Sequence, residues 1–173
     1  MTIVKGENGS KVYALQYALH ILNYNTGEID GSFGDATESA VKLFQSEHGL
    51  TQTGHINGGT WLSITAQIKA IQQALSERGF YDGYDTGGVD GVAGDGTYSA
   101  VLAFQTDNGL DADGMVGPYT RELLNAPADA TVIGTTSSTL SLGSNGSLTR
   151  YLKYVLTVLG YNLHGIFQTR LPE

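Results

Sequence analysis

The stretch DGSFGDATESAVKLFQSEHGL, residues 30–50, returns as DGVAGDGTYSAVLAFQTDNGL at residues 90–110. Extended to 30–64 and 90–124, the two segments align without a gap, and roughly two in five positions are identical, which marks a duplicated unit. Asp30/Asp90, Gly31/Gly91, Gly34/Gly94, Thr37/Thr97, Phe44/Phe104 and Gln45/Gln105 are among the shared pairs. A repeat this short bounds the fold: each copy has a thin core and gains by packing on its neighbour.

The repeat extends upstream. ALQYALHILNY (14–24) aligns with AIQQALSERGF (70–80), and the second copy then carries four extra residues within YDGYDTGGV. A third copy starts later, since GENGSKVYALQYALHILNYN (6–25) matches GSNGSLTRYLKYVLTVLGYN (143–162) and runs on into HGIFQTR. It has no counterpart of AVKLFQ. Between them, NAPADATVIGTTSSTLS (125–141) has the Pro, Ala, Thr and Ser content of a linker. The expected organisation is a first module at 1–65, a second at 66–126, a linker at 127–139 and an incomplete third module at 140–173.

The pattern within each copy is helical. Val12, Leu15, Leu19 and Leu22 recur at helical spacing, with Ser10 placed as N-cap. Asp30-Gly31 opens a turn. A second helix starts near Asp35, with Asp35 as cap and Glu38 three residues on as its capping-box partner. Ala40, Val41 and Phe44 line its inner face, and Gly49 ends it, with Leu50 folding back. After Gly54 a short third helix begins at Thr60. In the second copy Pro118 sits in a first-turn position. The expected fold class is all-α: tandem three-helix modules joined by Gly-rich turns, the third module incomplete.

Composition excludes several functions. The net charge of −8 argues against a nucleic-acid partner, whose phosphates call for Lys and Arg. It also argues against a basic membrane-surface helix, and no apolar run is long enough to span a bilayer. With no cysteine there is no disulfide, Cys-based zinc site or thiol chemistry. The start, MTIVKGENGS, lacks the apolar segment of a signal peptide.

The acids and aromatics are the remaining candidates. Asp30 and Asp90 can hydrogen-bond a ligand or, as Asx residues, fix their own turn, and the turn needs no ligand to explain it. Asp35 and Asp95 read as caps. Asp82, Asp85, Asp90, Asp95, Asp111 and Asp113 raise the possibility of calcium, but only the fragment Asp111-x-Asp113-Gly114 of a calcium loop is present. His20, His48, His55 and His164 form no zinc-binding pair. No metal site is expected. Tyr24, Phe80 and Tyr161 read as core residues closing the helix ends, and Trp61 as core or semi-core. Tyr81, in the inserted loop, is a half-exposed aromatic that can stack on a sugar or amide. Gln45 and Gln105, each following a core Phe, can face a cleft between the second helix and the turn. No nucleophile elbow, Walker loop or dinucleotide fingerprint occurs. Repeated acids at turns and caps suit a multiplied binding unit, where linked weak sites gain avidity.

These residues together resemble the peptidoglycan-binding-domain family of small three-helix modules. Its Asp-Gly-x-Phe-Gly turn, Thr, Ala-Val and Phe-Gln appear as Asp30, Gly31, Phe33, Gly34, Thr37, Ala40, Val41, Phe44 and Gln45. The upstream Leu-Gln is Leu15-Gln16, and Ile71-Gln72 in the second copy. The downstream pattern is GLDADGMVGPYT. The second copy departs at Ala93, where Phe is expected; the third has His164, Gln168 and Leu171 for Asp, Gly and Thr.

The resemblance implies a non-catalytic module that holds a wall hydrolase, often a zinc-dependent amidase or peptidase, on bacterial peptidoglycan. The expected partner is the stem peptide with its glycan, bound outside the cell in a shallow groove beside the Asp-Gly turn. The candidate contact residues are Asp30, Phe33, Thr37, Gln45, Asp90, Thr97, Gln105 and Tyr81. No cofactor is expected in this segment; zinc would belong to a catalytic domain beyond it, and the polypeptide is expected to continue past Glu173 into such a domain. The alternatives are a protein-interaction or spacer scaffold without wall binding, and an enzyme using the clustered acids.

Overall fold

The computed structural model describes residues 2–82 and 88–126. The linker and third module expected at 127–173, with Tyr161 and His164, lie outside these residues, as does Asp85. Among the described residues there are five helices and no strand: α1 (Ser10–Ile21), α2 (Asp35–Glu47), α3 (Gly58–Ser76), α4 (Asp95–Asp107) and α5 (Pro118–Asn125). The fold is all-α. Two isolated bridges, Ile3 with Ile56 and Asn8 with Ser32, tie the N-terminal segment across the turns of the first module. No helix among these residues is long and apolar enough to cross a membrane.

The third helix is not short. α3 runs unbroken for 19 residues and serves both copies, closing the first module with Thr60 and Ile64 and opening the second with Ile71, Gln72 and Leu75. Residues 65 and 66 lie within it. Asn57 caps it, its side chain accepting from the Thr60 N–H at 2.9 Å. The chain offers no glycine or proline between Gly59 and Gly79 to stop it.

Pro118 opens the first turn of α5 as expected, but the side-chain caps differ from expectation. Gly9, Gly34 and Gly94, not Ser10, Asp35 and Asp95, occupy the N-cap positions, with no side-chain cap bond. Glu38 forms no capping box: its carboxylate meets Lys42 at 2.7 Å and Lys5 at 3.0 Å. Asp35 also pairs with Lys5. Both acids still sit in the first turn of α2, where the helix dipole favours them. The expected stop at Gly49 is present, with φ +65° and Leu50 N–H returning to the Gln45 carbonyl at 2.7 Å.

Core side chains fall on the faces that the periodicity gave. Val12, Leu15 and Leu19 from α1, Val41 and Phe44 from α2, and Ile64, Ile68 and Leu75 from α3 are essentially solvent-free. Tyr24 packs edge-on against Phe44, ring centroids 5.5 Å apart, and Phe80 does the same against Phe104 at 5.4 Å. Tyr24, Phe44 and Phe104 are buried, while Phe80 is half-buried; full burial of a Phe-sized side chain contributes about 1.5–3 kcal/mol. The modules also dock directly. Val116 N–H donates to the Ile21 carbonyl at 2.7 Å, Tyr17 and Tyr98 rings meet at 5.8 Å, and the Tyr17 hydroxyl bonds Asp95.

Candidate functional site

The repeated acids are best understood through the glutamines behind them. Gln16, on α1, is buried and points into the Asp30-Gly31 turn. Its Oε1 accepts from the Gly31 N–H at 2.7 Å. Its Nε2 faces Asp30 Oδ1 at 3.0 Å, the Ser32 carbonyl at 3.1 Å and Thr37 Oγ1 at 3.3 Å. One side chain thus ties a helix, the turn and the start of the next helix.

The same device recurs at each helix-to-helix turn. Gln45 holds Gly54 N–H, Thr53 Oγ1, the His55 carbonyl and Thr60 Oγ1. Gln72 holds Gly91 N–H, Asp90 Oδ1, the Val92 carbonyl and Thr97 Oγ1. Gln105 holds Gly114 N–H, Asp113 Oδ1, the Met115 carbonyl and Thr120 Oγ1. In each, the residue before the glycine also accepts from the N–H two positions on, at 2.8–3.4 Å. From glycine to threonine is six residues in all four clamps. The structural repeat is therefore a helix–turn–helix half as long as the sequence repeat. A buried glutamine amide left unpaired would cost about 1–3 kcal/mol per group, so the clamps are strongly specified.

This geometry settles where the candidate contact residues lie. Thr37, Thr97, Gln45 and Gln105 are buried clamp members, and Phe33 is core. Gln45 does not face a cleft: its amide is spent on the Gly54 turn. Tyr81 is also buried, not half-exposed, and its hydroxyl accepts from Gln72 Nε2 at 3.1 Å. Their polar atoms are engaged within the clamps, and of these side chains only Gln105 also lines a cleft. Asp30 and Asp90 remain at the surface with Oδ1 committed to the turn. The Asp30 carboxyl is held below the usual carboxylate range, first by the Gln16 amide and then by the Ser32 N–H. Asp111-x-Asp113-Gly114, read as a calcium-loop fragment, is the fourth clamp turn.

Sequence reasoning missed the concave surface. A cleft of about 300 Å³ opens beside the Asp113-Gly114 turn, lined by Asn23, Leu110, Asp111, Asp113, Met115 and Tyr119, with Gln105 and Thr120 behind. Asn23 belongs to the first module and the rest to the second. His20 Nε2, 3.2 Å from the Asp113 carbonyl oxygen, and the Val116–Ile21 bond hold the two sides together. Asn23 has a positive φ of 73°, ending α1 as Gly49 ends α2. The signal available in the sequence was Asp113-Gly114 with Thr120 six residues on, the same spacing as Asp30-Gly31 with Thr37.

Comparison with known proteins agrees with the repeat. The model of the peptidoglycan binding domain family matches twice, at residues 8–64 and 65–124. Relatives include the N-acetylmuramoyl-L-alanine amidase CwlL of Bacillus licheniformis, 28% identical over 69% of this chain and 44% of that protein. The N-acetylmuramoyl-L-alanine amidase CwlM of Mycobacterium tuberculosis is 35% identical over 53% of this chain and 21% of its own length. A spore cortex-lytic enzyme of Bacillus cereus is 48% identical over 29% of this chain and 19% of its own. The chain spans less than half the length of these curated relatives. No solved structure matches it significantly. With both matches falling on the clamped helix–turn–helix units, the chain belongs to the peptidoglycan binding domain family.

Proposed function

We propose that this chain binds bacterial peptidoglycan through its tandem modules and holds an attached wall hydrolase on its substrate. The observation that carries the reading is the double family match on two intact, docked modules. The relatives support the second half, since their names are those of amidases and a cortex-lytic enzyme. The hydrolase, an amidase or peptidase using zinc, would lie outside this segment, and the segment itself contributes binding and no catalysis. Its place of action is the cell wall. With a net charge of −8, attachment rests on hydrogen bonds and stacking rather than bulk attraction to the polymer. Two units fixed on one shared helix raise retention where their spacing lets both engage the polymer.

Co-sedimentation with purified insoluble peptidoglycan tests this. The chain is expected in the pellet at low and moderate salt; recovery in the supernatant under both conditions would refute wall binding.

A further inference from the structure

We infer that the cleft between the modules is a binding site for a stem-peptide segment bearing a free amine. The assignment rests on the wall-binding reading above and names the part of the polymer that is held. The cleft is the concave surface beside a clamp turn that combines residues of both modules, Asn23 from one and Asp111, Asp113 and Tyr119 from the other. Its volume of about 300 Å³ fits a small ligand or a short piece of peptide.

The chemistry of the lining selects the occupant. No lysine or arginine lines the cleft, and two carboxylates do. Asp113 spends Oδ1 on Gln105 and the Met115 N–H. Asp111 is exposed, and only its backbone carbonyl is engaged, by the Asp113 N–H. The N-terminus of α5 brings roughly half a positive charge, and the Arg121 guanidinium reaches the Val116 carbonyl at 3.4 Å, outside the lining; the charged groups that would contact an occupant are the two carboxylates, which suit a cation. Leu110 and Met115 supply an apolar floor, and the Tyr119 ring, 53% exposed, can cover an aliphatic stem or an amide plane. The Asn23 amide offers both a donor and an acceptor to a peptide backbone. A stem peptide that is not cross-linked carries a free side-chain amine on its diamino acid; an ammonium on an aliphatic stem next to amide groups matches this lining. Acetylated glycan, having no cation, does not.

The second module supplies nine of the ten lining residues, and the docked first module completes the site with Asn23. It differs from the groove expected at Asp30-Gly31, where Gln16 and Thr37 are buried in the first clamp and Asp30, like Asp113, commits Oδ1 to its turn.

The test uses the whole chain with a soluble muramyl peptide that ends in a diamino acid, and the same compound N-acetylated on its side-chain amine. Binding is followed by residue-resolved NMR titration and equilibrium affinity. The expected result is chemical-shift change centred on Asn23, Asp111 and Tyr119. Acetylation, or Asp111→Asn, should each weaken binding by about tenfold, the loss of one charge-assisted hydrogen bond. Asn23→Gly keeps the backbone conformation and removes the amide, and should weaken binding about threefold. Fragment binding that ignores acetylation and Asp111→Asn, shifts confined to other surfaces, or no fragment binding would overturn the assignment, provided the wild-type chain still sediments with wall. Failure of the wild-type chain to sediment would instead overturn the wall reading beneath it.

Discussion

The two modules solve the same problem with different materials. Each uses a buried glutamine to lock an Asp-Gly turn, and the lock has the same atoms: Gln16 with Gly31, Asp30 and Thr37, and Gln72 with Gly91, Asp90 and Thr97. The loops leading into the turn differ. From Gln16 to Gly31 is 15 residues and from Gln72 to Gly91 is 19, the four extra lying in the second module's loop. In the first module the spare capacity of the amide reaches the Glu28 carbonyl at 3.3 Å; in the second it reaches the Tyr81 hydroxyl at 3.1 Å. Phe33 fills the core beside the first turn where the second has only Ala93, and both positions are buried. The lesson is that the clamp is the conserved machine within this molecule and the loop length is free around it.

The surroundings of the two turn glycines give the sharpest way to break this equivalence. Both have positive φ, where any other L-residue costs about 1–2 kcal/mol. A Cβ at Gly91 would also lie 2.7 Å from the Thr65 backbone carbonyl oxygen, which is fixed within α3. A Cβ at Gly31 would meet the ring of Tyr13, a 44%-exposed side chain that can swing away. Gly91→Ala is therefore expected to destabilise the chain by about 3 kcal/mol or more, and Gly31→Ala by about 1–2 kcal/mol. Equal losses in chemical denaturation would show that local strain, and not the neighbouring helix, governs both turns.

A smaller effect isolates what the longer loop adds. Tyr81→Phe removes the hydroxyl from the second clamp and leaves the buried ring. It should cost about 1 kcal/mol, the worth of a typical hydrogen bond. No change in thermal or denaturant stability would mean that Gln72 is satisfied without it.

The smallest expected effect is on pH dependence. The Asp30 carboxyl is held below its ordinary value, mainly by Gln16, so the folded state binds its proton less readily than the unfolded chain. Its stabilising contribution is present above the unfolded value near ~4 and is lost as pH falls through the lower folded value. Asp30→Asn should flatten the acid limb of the stability curve in that window. Wild-type and variant curves that run parallel from neutral pH down to full protonation would exclude the turn carboxylate as a source of acid sensitivity.

Much of this architecture was legible in the sequence because it depends on local chemistry. Asp-Gly turns, the Gly49 stop and the apolar stripes of α1 and α2 declare themselves within a few residues. The clamps did not, because a glutamine's partner lies 9 to 19 residues away at a distance that varies from turn to turn. A polar side chain after a core phenylalanine reads as surface-facing until its partners are known; Gln45 departs from that reading, while Gln105 holds its clamp and also lines the cleft beside it. Tyr81 differs from expectation for the same reason: its ring joins the core, and its hydroxyl meets Gln72 and the Gly88 carbonyl, partners that the local sequence does not announce. The continuity of α3 was available in principle, since nothing between Gly59 and Gly79 breaks a helix. Reading the repeat as separate modules hid it. Most of the cleft lies within residues 105–120, beside a turn that the sequence does announce; the part contributed by Asn23 could not be found locally, as it depends on how the modules meet.

The unbroken α3 has a mechanical consequence. Two binding units joined by a flexible linker sample many mutual orientations, whereas units that share a helix inherit its pitch. Adding a single residue within α3 would turn the second module by about 100° and move it about 1.5 Å along the axis. The direction in which the second unit faces is thus written in the residue count of one helix. A rigid chain of this kind can register with a polymer whose subunits repeat, much as the teeth of a rack engage a gear of matching spacing.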